Sequence, residues 1–241
     1  MNGMFYALST GAGNPELLTL QAVRILKNCE IIFYPESERN TIALDTIKSL
    51  ENEIDFSGKK LIPCTFSMTR DSEKSAAEYK SIASECKKFL SEGKNVAMLS
   101  IGDVSFWSTA ARTSAIIQDS GFEVSFISGI NSFSAAACEA SLSLSDRDEK
   151  LTVIPGDAYF IEGKLKAELS SAGTKVLMKM GRHLREITKI LEELNLIQKS
   201  TLVQKASLEG EKIFRGKEIL EMAEEDLKNA YLSVLIVGAS L

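Results

Sequence analysis

The chain has 241 residues, 44% of them hydrophobic, so it can bury a sizeable core and fits one large domain or two small ones. Its 28 basic and 33 acidic residues give a formal net charge of -5, without long single-sign blocks. This balance argues against binding to duplex nucleic acid or to an anionic membrane surface.

The four cysteines lie far apart and include no C-x-x-C pair, so neither a zinc site nor a dithiol motif is indicated. The first residues lack the cationic start and apolar run of a signal peptide. No later stretch approaches the roughly 18 apolar residues of a membrane span. We therefore expect a cytoplasmic protein with reduced thiols and no protein-bound metal.

Short apolar runs rich in β-branched and aromatic residues predict ten strands. Helical patterns lie between most of them, which indicates an α/β protein with substantially parallel sheets. The predicted strands are residues 5–8, 30–34, 60–62, 96–99, 123–127, 151–154, 175–178, 201–204, 212–214 and 232–237.

Two helices have clear sequence signals. Asn14 as N-cap followed by Pro15 and Glu16 predicts the start of the first helix, and six apolar residues then predict its buried side. A long charged helix is predicted over residues 71–92, with Gly93 as its C-terminal stop. The predicted buried side of the first helix consists of Leu17, Leu18, Leu20, Val23, Ile25 and Leu26.

The sequence contains no internal repeat and no Pro-rich linker, so any domain boundary must be compact. A boundary within residues 118–121 divides the strands evenly and predicts two α/β domains, residues 1–118 and 119–241. A cleft between two such halves is a usual place for a ligand.

Three glycine-containing turns follow three predicted strands. They are the first turn (residues 9–15, STGAGNP), the second turn (residues 100–104, SIGDV) and the third turn (residues 128–132, SGINS). Glycine permits positive φ and close approach of the backbone to a ligand, and a following helix presents free amide donors. Each turn alone is equally consistent with a tight strand-to-helix connection, but three together favour a binding site.

Other chemistries fit the sequence less well. The first turn lacks the third glycine of a dinucleotide fingerprint, and Tyr34-Pro35 rather than an acidic residue ends the second strand. The single histidine, His183, has no serine or cysteine partner in a recognisable nucleophile motif, and its position indicates a polar residue near a helix start. No cluster of ligating side chains at metal spacing occurs.

The three turns, in this order, resemble the tetrapyrrole methylase family, whose usual pattern is GxGPGDPELLT, then GDP, then PGV[ST]S. The resemblance extends over essentially the whole chain, since residues 232–238 are similar to the last strand of the family. Departures occur in all three turns, mostly where main-chain atoms bind. The departing residues are Ser9, Ala12, Asn14, Val104, Ser128 and Asn131.

Further segments are similar to the family branch that methylates carbon 20 of precorrin-2 or cobalt-factor II. They are residues 33–35 (FYP), 66–71 (FSMTRD), 102–109 (GDVSFWST) and 132–137 (SFSAAA). Relatives that methylate uroporphyrinogen have an aspartate after the second strand, where this chain has Pro35. The resemblance therefore implies a role in cobalamin biosynthesis, with the cobalt-containing ring slightly favoured.

The resemblance also implies a homodimer of two-domain chains, each with S-adenosylmethionine bound between its domains. The implied cofactor contacts are Ala12, Ile101, Gly102, Asp103, Phe106, Asn131, Ser132, Met180 and Ala206. Asp103 and Tyr34 are candidates for the catalytic base. The tetrapyrrole substrate carries many carboxylates, for which the candidate partners are Arg70, Arg112, Arg147 and Arg182.

Two kinds of alternative function remain open. One is another methyltransferase of the family, acting at a different ring position or on ribosomal RNA or a diphthamide precursor. RNA binding predicts a basic surface, which the acidic balance does not support. The other is a non-catalytic sensor that keeps the cleft.

Overall fold

The computed structural model describes residues 1–37, 41–67, 72–228 and 230–238. It contains two five-stranded sheets, each within its own compact unit. The ten predicted strands are confirmed, with bounds that shift by one or two residues. A mixed α/β architecture is therefore present in both halves of the chain.

The first sheet is entirely parallel, with the strand order β3-β2-β4-β1-β5. Because helices cover both of its faces, its inner strands are buried on both sides and have nearly continuous apolar sequences. The strands are β1 (Phe5–Ser9), β2 (Ile31–Pro35), β3 (Lys60–Cys64), β4 (Val96–Ser100) and β5 (Val124–Ile127).

The helices of the first unit lie on opposite faces of this sheet. They are α1 (Leu20–Asn28), α2 (Ile42–Lys48), α3 (Ser72–Ser91) and α4 (Thr109–Asp119). Side chains alternate along β1, so Phe5 packs in one core with Cys86 of α3, while Leu8 packs in the other with Leu26 of α1. Gly93, at φ +79°, follows α3 as predicted.

The second sheet is mixed, with the order β6-β7-β10-β8-β9. Only β6 and β7 pair in parallel, whereas β10 is antiparallel to both β7 and β8, and β9 is antiparallel to β8. The expectation of substantially parallel sheets therefore holds for the first unit and is wrong for the second. The strands are β6 (Leu151–Pro155), β7 (Thr174–Met178), β8 (Ser200–Gln204), β9 (Lys212–Arg215) and β10 (Ser233–Val237).

Helices also cover both faces of the second sheet. Val176 packs with Phe133 of α5 on one face, and Leu177 packs with Ile187 of α8 on the other. The helices are α5 (Ser132–Glu139), α6 (Gly156–Ile161), α7 (Leu165–Leu169), α8 (Leu184–Glu193) and α9 (Glu224–Lys228). No helix among the described residues is long and apolar enough to cross a membrane.

The division between the units differs from the boundary expected at 118/119. Residues 119–131 belong to the first unit, which ends at Asn131. The physical reason is the pairing of β5 with β1, which carries this segment into the first sheet. Sequence periodicity identifies β5 but does not say which sheet it joins.

The first predicted helix is divided into two elements. The side chain of Asn14 accepts a hydrogen bond from the Glu16 amide, as predicted, but it caps a short 3-10 helix, Pro15–Leu17. Thr19 then caps α1 by accepting from the Ala22 amide. Because this second cap turns the chain, Leu20 is 89% exposed, and its predicted burial is wrong.

Candidate functional site

The three glycine turns lie side by side at the carboxyl edge of the first sheet. Strands β4, β1 and β5 are neighbours and parallel, so the turns that follow them meet at one edge. This is the edge at which open α/β sheets bind ligands. The sequence spacing predicts the turns, but the strand order is what brings them together.

Hydrogen bonds connect the first and second turns. The amide of Gly102 donates to the carbonyl of Gly11 at 2.7 Å, and the two residues form an isolated bridge. Gly11 and Gly102 have φ values of +69° and +75°, a region that favours glycine. The amide of Val104 donates to Ser9 Oγ at 2.8 Å. Ser9, a departure from the family's glycine, thus adds a side-chain bond that glycine does not provide.

The third turn packs directly against the other two. The amide of Gly129 donates to Asp103 Oδ2 at 2.7 Å, and Thr19 Oγ1 donates to the carbonyl of Ser128 at 3.3 Å. A Cβ atom on Gly129 would lie 2.4 Å from Ser9 Cβ and 2.9 Å from the carbonyl oxygen of Gly102. Only glycine fits at this point, so the three turns form one interlocked structure.

Asp103 is the carboxylate at the centre of this structure, with 8% of its surface exposed. Its Oδ1 accepts hydrogen bonds from the amide and the hydroxyl of Ser105, while Oδ2 accepts from Gly129. Burial by itself would raise the pKa of Asp103, but the bonds from Gly129 and Ser105 together hold it below its usual value. Asp103 therefore stays ionised and braces the second and third turns.

Tyr34, the other candidate base, lies near the end of β2 and is 9% exposed. It packs in the apolar cluster with Ala43 and Leu44 of α2. Burial, followed by the nearby Glu36 and Cys64, raises its pKa. A phenol in this setting is a poor proton acceptor near neutral pH.

The predicted cofactor contacts of the first unit lie in or beside the interlocked turns. Ala12 and Gly102 are buried, Ile101 and Asn131 are half-buried, and Phe106 is 37% exposed. The ring of Phe106 meets that of Trp107 edge to face, with 5.0 Å between centroids. The edge therefore combines main-chain groups with an accessible aromatic surface.

The remaining predicted contacts belong to the second unit. Ser132 begins α5, and Met180 and Ala206 lie two residues beyond the ends of β7 and β8. Since both strands are antiparallel to β10, they run parallel to each other, and Met180 and Ala206 follow the same edge of the sheet. Met180 is fully buried and Ala206 is 7% exposed, so both residues pack into the second unit at this edge.

Sequence reasoning missed a contact between His183 and Asp157 beside Met180. Nδ1 of His183 meets Oδ1 of Asp157, and the imidazole lies on the ring of Phe160 with 4.7 Å between centroids. The His183 amide donates to the carbonyl of Met180 at 3.1 Å. His183 lies near a helix start, as predicted. Its partner, Asp157, belongs to α6, and only the folded chain brings α6 next to the turn after β7.

The described part of the chain includes the side chains of two of the four candidate arginines, Arg112 and Arg147. Arg112 lies over the ring of Tyr79, 5.7 Å from its centroid, and borders a cavity of about 310 Å³ beside α3 and α4. Arg147 is in an exposed loop at φ +37°. Arg70 and the side chain of Arg182 lie outside the described part of the chain.

Residues 4–219 match the family model for tetrapyrrole (corrin/porphyrin) methylases. The chain belongs to this family. The match includes strands β1 to β9 and all three turns. It also confirms the expectation drawn from the order of the turns.

Curated relatives of this methylase cover nearly its full length. It is 31% identical over 240 residues to a probable cobalt-precorrin-2 C(20)-methyltransferase of Methanocaldococcus jannaschii, covering 96% of this chain and 94% of the relative. It is 28% identical over 242 residues to the cobalt-precorrin-2 C(20)-methyltransferase of Salmonella typhimurium, covering 99% and 97%.

Solved structures of the family share the fold. A cobalt precorrin-4 methyltransferase superposes with a TM-score of 0.73 at 16% identity, covering 98% of this chain and 94% of the other. The uroporphyrin-III C-methyl transferase of Thermus thermophilus, complexed with S-adenyl homocysteine, gives a TM-score of 0.65 at 20% identity, covering 98% and 97%. At these identities the likeness establishes the architecture.

Proposed function

We propose that this methylase transfers the methyl group of S-adenosylmethionine to carbon 20 of cobalt-factor II or precorrin-2 in cobalamin biosynthesis. The interlocked glycine turns at the carboxyl edge of the first sheet carry the proposal, because they provide the binding edge that the family pattern implies. The near full-length similarity to C(20)-methyltransferases supports the choice of carbon 20. We favour the cobalt-containing ring.

The donor groups at this edge fit S-adenosylmethionine. The three turns approach one another so closely that a Cβ on Gly129 has no room. In these turns Ile101 and Asn131 are half-buried, and Phe106 beside them is exposed. Main-chain amides and carbonyls suit the polar ends of the cofactor, and an aromatic side chain suits its adenine ring. We propose these residues, with Ala12, Gly102, Asp103, Ser132, Met180 and Ala206, as the cofactor contacts.

The bound cofactor supplies an already activated methyl group, so the chain's main task is to orient the acceptor carbon and exclude water. A rigid edge is suited to that task. Asp103 contributes by holding the second and third turns together, rather than by accepting a proton. Both of its oxygens already accept hydrogen bonds, and its pKa is lowered.

The proton lost from carbon 20 after methyl transfer needs only a weak acceptor. Neither Asp103, with its lowered pKa, nor Tyr34, with its raised pKa, is matched to this step near neutral pH. We assign the proton to water.

We further propose a homodimeric protein of the cytoplasm that binds neither nucleic acid nor membrane. The net charge of -5 supports the absence of binding to nucleic acid and to an anionic membrane. All four cysteines lie among the described residues and are free. Burial raises the pKa of Cys29 and Cys64 to about 12, which fits inert reduced thiols at these two positions. Exposed apolar residues, including Phe126 on the edge strand β5, are available to an interface. Light scattering on the purified protein measures the oligomeric state.

The proposed reaction is tested with purified protein, S-adenosylmethionine labelled with ¹³C in its methyl group, and either cobalt-factor II or precorrin-2. We expect one labelled methyl per ring, located at carbon 20 by NMR. Parallel reactions with uroporphyrinogen and ribosomal RNA test the alternative substrates within the family. Absence of label in both precorrin-type rings overturns the proposal, and binding of the cofactor without any transfer would favour the sensor.

A further inference from the structure

Two lysines occupy equivalent places at the carboxyl edge of the second sheet. Lys179 is the first residue after β7, and Lys205 is the first residue after β8. Both have φ +52°, in the left-handed region. Each directly precedes a proposed cofactor contact, Met180 in one case and Ala206 in the other.

The left-handed conformation is sparsely populated by residues with a Cβ, because the side chain crowds the backbone. Glycine adopts it without that strain, and the first sheet uses Gly11 and Gly102 in this conformation just beyond β1 and β4. At this edge of the second sheet the same conformation is held by two lysines, so two cationic side chains stand where glycine would satisfy the backbone alone.

Backbone hydrogen bonds fix both lysines in place. The carbonyl of Lys179 accepts from the amide of Asp157 at 3.1 Å, and the amide of Lys205 donates to the carbonyl of Leu232 at 2.8 Å. The side chain of Lys179 is exposed and that of Lys205 is half-buried. Both side chains therefore start from fixed main-chain positions and are at least partly exposed to solvent.

Ser207, in the loop after β8, binds two of the carboxylates near Lys205. Ser207 donates from its amide to Glu211 at 2.7 Å and from its hydroxyl to Glu139 at 2.8 Å. The ammonium of Lys205 is directed toward Gly210, since a Cβ built there would lie 3.4 Å from Nζ. Glu139 and Glu211 are thus engaged by Ser207. Glu209, next to Gly210, is exposed and competes only weakly for Lys205 with a ligand that carries several carboxylates.

One strand, β10, separates β7 from β8, so the two lysines start about 10 Å apart across the sheet. Two cations at that separation suit a ligand that carries several carboxylates around a rigid ring. Ammonium groups bind carboxylates by charge-assisted hydrogen bonds, and the flexible stems of lysine adjust to their positions.

We propose that Lys179 and Lys205 bind carboxylate side chains of the tetrapyrrole and so help to position the ring for methylation. This inference rests on the proposed function, because it places the substrate next to the proposed cofactor contacts Met180 and Ala206. It assigns substrate binding to this pair of lysines instead of to Arg112, which lies over Tyr79.

The most informative variants are Lys179→Gly and Lys205→Gly. Glycine removes the ammonium group and also relieves the left-handed strain, so the variants should unfold at the same temperature as the wild type or a higher one. We expect each to raise the KM for the tetrapyrrole about tenfold while the Kd for S-adenosylmethionine changes less than about twofold.

A matched control is available at the opposite edge of the same sheet. Lys199 is exposed and directly precedes β8, so Lys199→Gln removes one positive charge without touching the proposed site. Compared with Lys179→Gln and Lys205→Gln, it should leave the KM for the tetrapyrrole unchanged. An equal rise in KM for all three glutamine variants would mean that only net charge matters, and it would overturn the assignment.

Binding of uroporphyrin, a free-acid porphyrin with a carboxylate on every peripheral side chain, separates this inference from the proposed reaction. We expect its fluorescence titration to weaken in both glycine variants and at high salt, with binding of its fully esterified form the same in all variants. Glycine variants that bind uroporphyrin as the wild type does overturn the inference. A wild type that binds through these lysines but transfers no methyl group overturns the proposed reaction alone.

Discussion

The two sheets build their carboxyl edges by different means. In the first sheet, glycines with positive φ allow three turns to interlock through main-chain and carboxylate hydrogen bonds around Asp103. In the second sheet, lysines hold the same left-handed conformation, and main-chain bonds and the contact between His183 and Asp157 fix the turns. At the first edge the backbone can approach a ligand closely, whereas the second edge carries charged side chains.

Replacing the most crowded glycine gives the largest effect we expect on this comparison. Gly129→Ala places a Cβ 2.4 Å from Ser9 Cβ and 2.9 Å from the Gly102 carbonyl oxygen, so the third turn must move away from the other two. We expect a loss of about 2–3 kcal/mol in the free energy of unfolding, measured with urea. Affinity for S-adenosylmethionine, measured by calorimetry, should fall by more than about tenfold.

Gly58→Ala is the matched control for this substitution, because no heavy atom lies within 4 Å of a Cβ at Gly58 and its φ is not in the left-handed region. Stability and affinity should stay unchanged in that variant. If Gly129→Ala binds the cofactor as well as Gly58→Ala does, the interlocked turns are not the cofactor site.

Asp103→Asn weakens the same edge by electrostatics instead of by crowding. The amide keeps one acceptor oxygen, so it cannot accept from both Ser105 and Gly129 as the carboxylate does. We expect a loss of about 1–3 kcal/mol in the free energy of unfolding at pH 7 and weaker cofactor binding. The value of kcat at saturating cofactor should change less than KM.

The pH dependence of that difference has a defined sign. Because the folded pKa of Asp103 is lowered, the carboxylate stabilises the fold fully above its unfolded pKa, about 4. This stabilisation is lost as the pH falls through the lower folded value. The wild type and Asp103→Asn should therefore converge in stability in acid. A difference that persists unchanged in acid contradicts this account of Asp103.

On the second sheet we expect a smaller effect from His183→Ala. The substitution removes the contact with Asp157 and the stacking on Phe160, both of which hold the turn that carries Met180. A loss of about 1 kcal/mol in the free energy of unfolding is expected, with a few-fold weaker affinity for the cofactor. Both are measured as for Gly129→Ala.

The exposed pair between Lys166 and Glu193 provides a comparison for His183, because it joins two helices of the same unit away from Met180. Glu193→Gln should change neither stability nor cofactor affinity measurably. If His183→Ala behaves like Glu193→Gln, the contact with Asp157 does not support the Met180 turn.

Tyr34→Phe is expected to have the smallest effect. The residue packs in an apolar cluster, and burial raises its pKa, so the loss of the hydroxyl should leave turnover within about twofold of the wild type. Single-turnover kinetics with saturating cofactor measure this directly. A large fall in the chemical step, without loss of cofactor affinity, would return Tyr34 to the role of proton acceptor.

Local patterns in the sequence predict the elements of both sheets well. Apolar runs locate all ten strands. Capping signals correctly predict Asn14 as an N-cap and Gly93 as the glycine that follows α3. These patterns fail where the same local sequence is compatible with two structures. Asn14 caps a 3-10 turn and Thr19 caps α1, so Leu20 points to solvent although its spacing predicts burial.

Candidate site residues were predictable only to the extent that they lie in turns with a recognisable pattern. Gly102 and Asp103 follow a strand and carry the family motif, and Asn131 lies in a turn that resembles the family's third one, so the sequence predicts all three as candidates. The contact of His183 with Asp157 joins residues 26 positions apart. The left-handed lysines carry no motif, because nothing in the sequence near Lys179 or Lys205 indicates a positive φ.

The strands, the glycine turns and, through the order of those turns, the family can all be derived from the amino-acid sequence. Strand periodicity and turn chemistry are local properties, so they are visible without the fold. Three other features required the folded chain: β5 joins the first sheet, the second sheet is mixed, and Asp103 bonds to Gly129 across 26 residues. These outcomes depend on which strands pair, and pairing is settled by packing between distant segments.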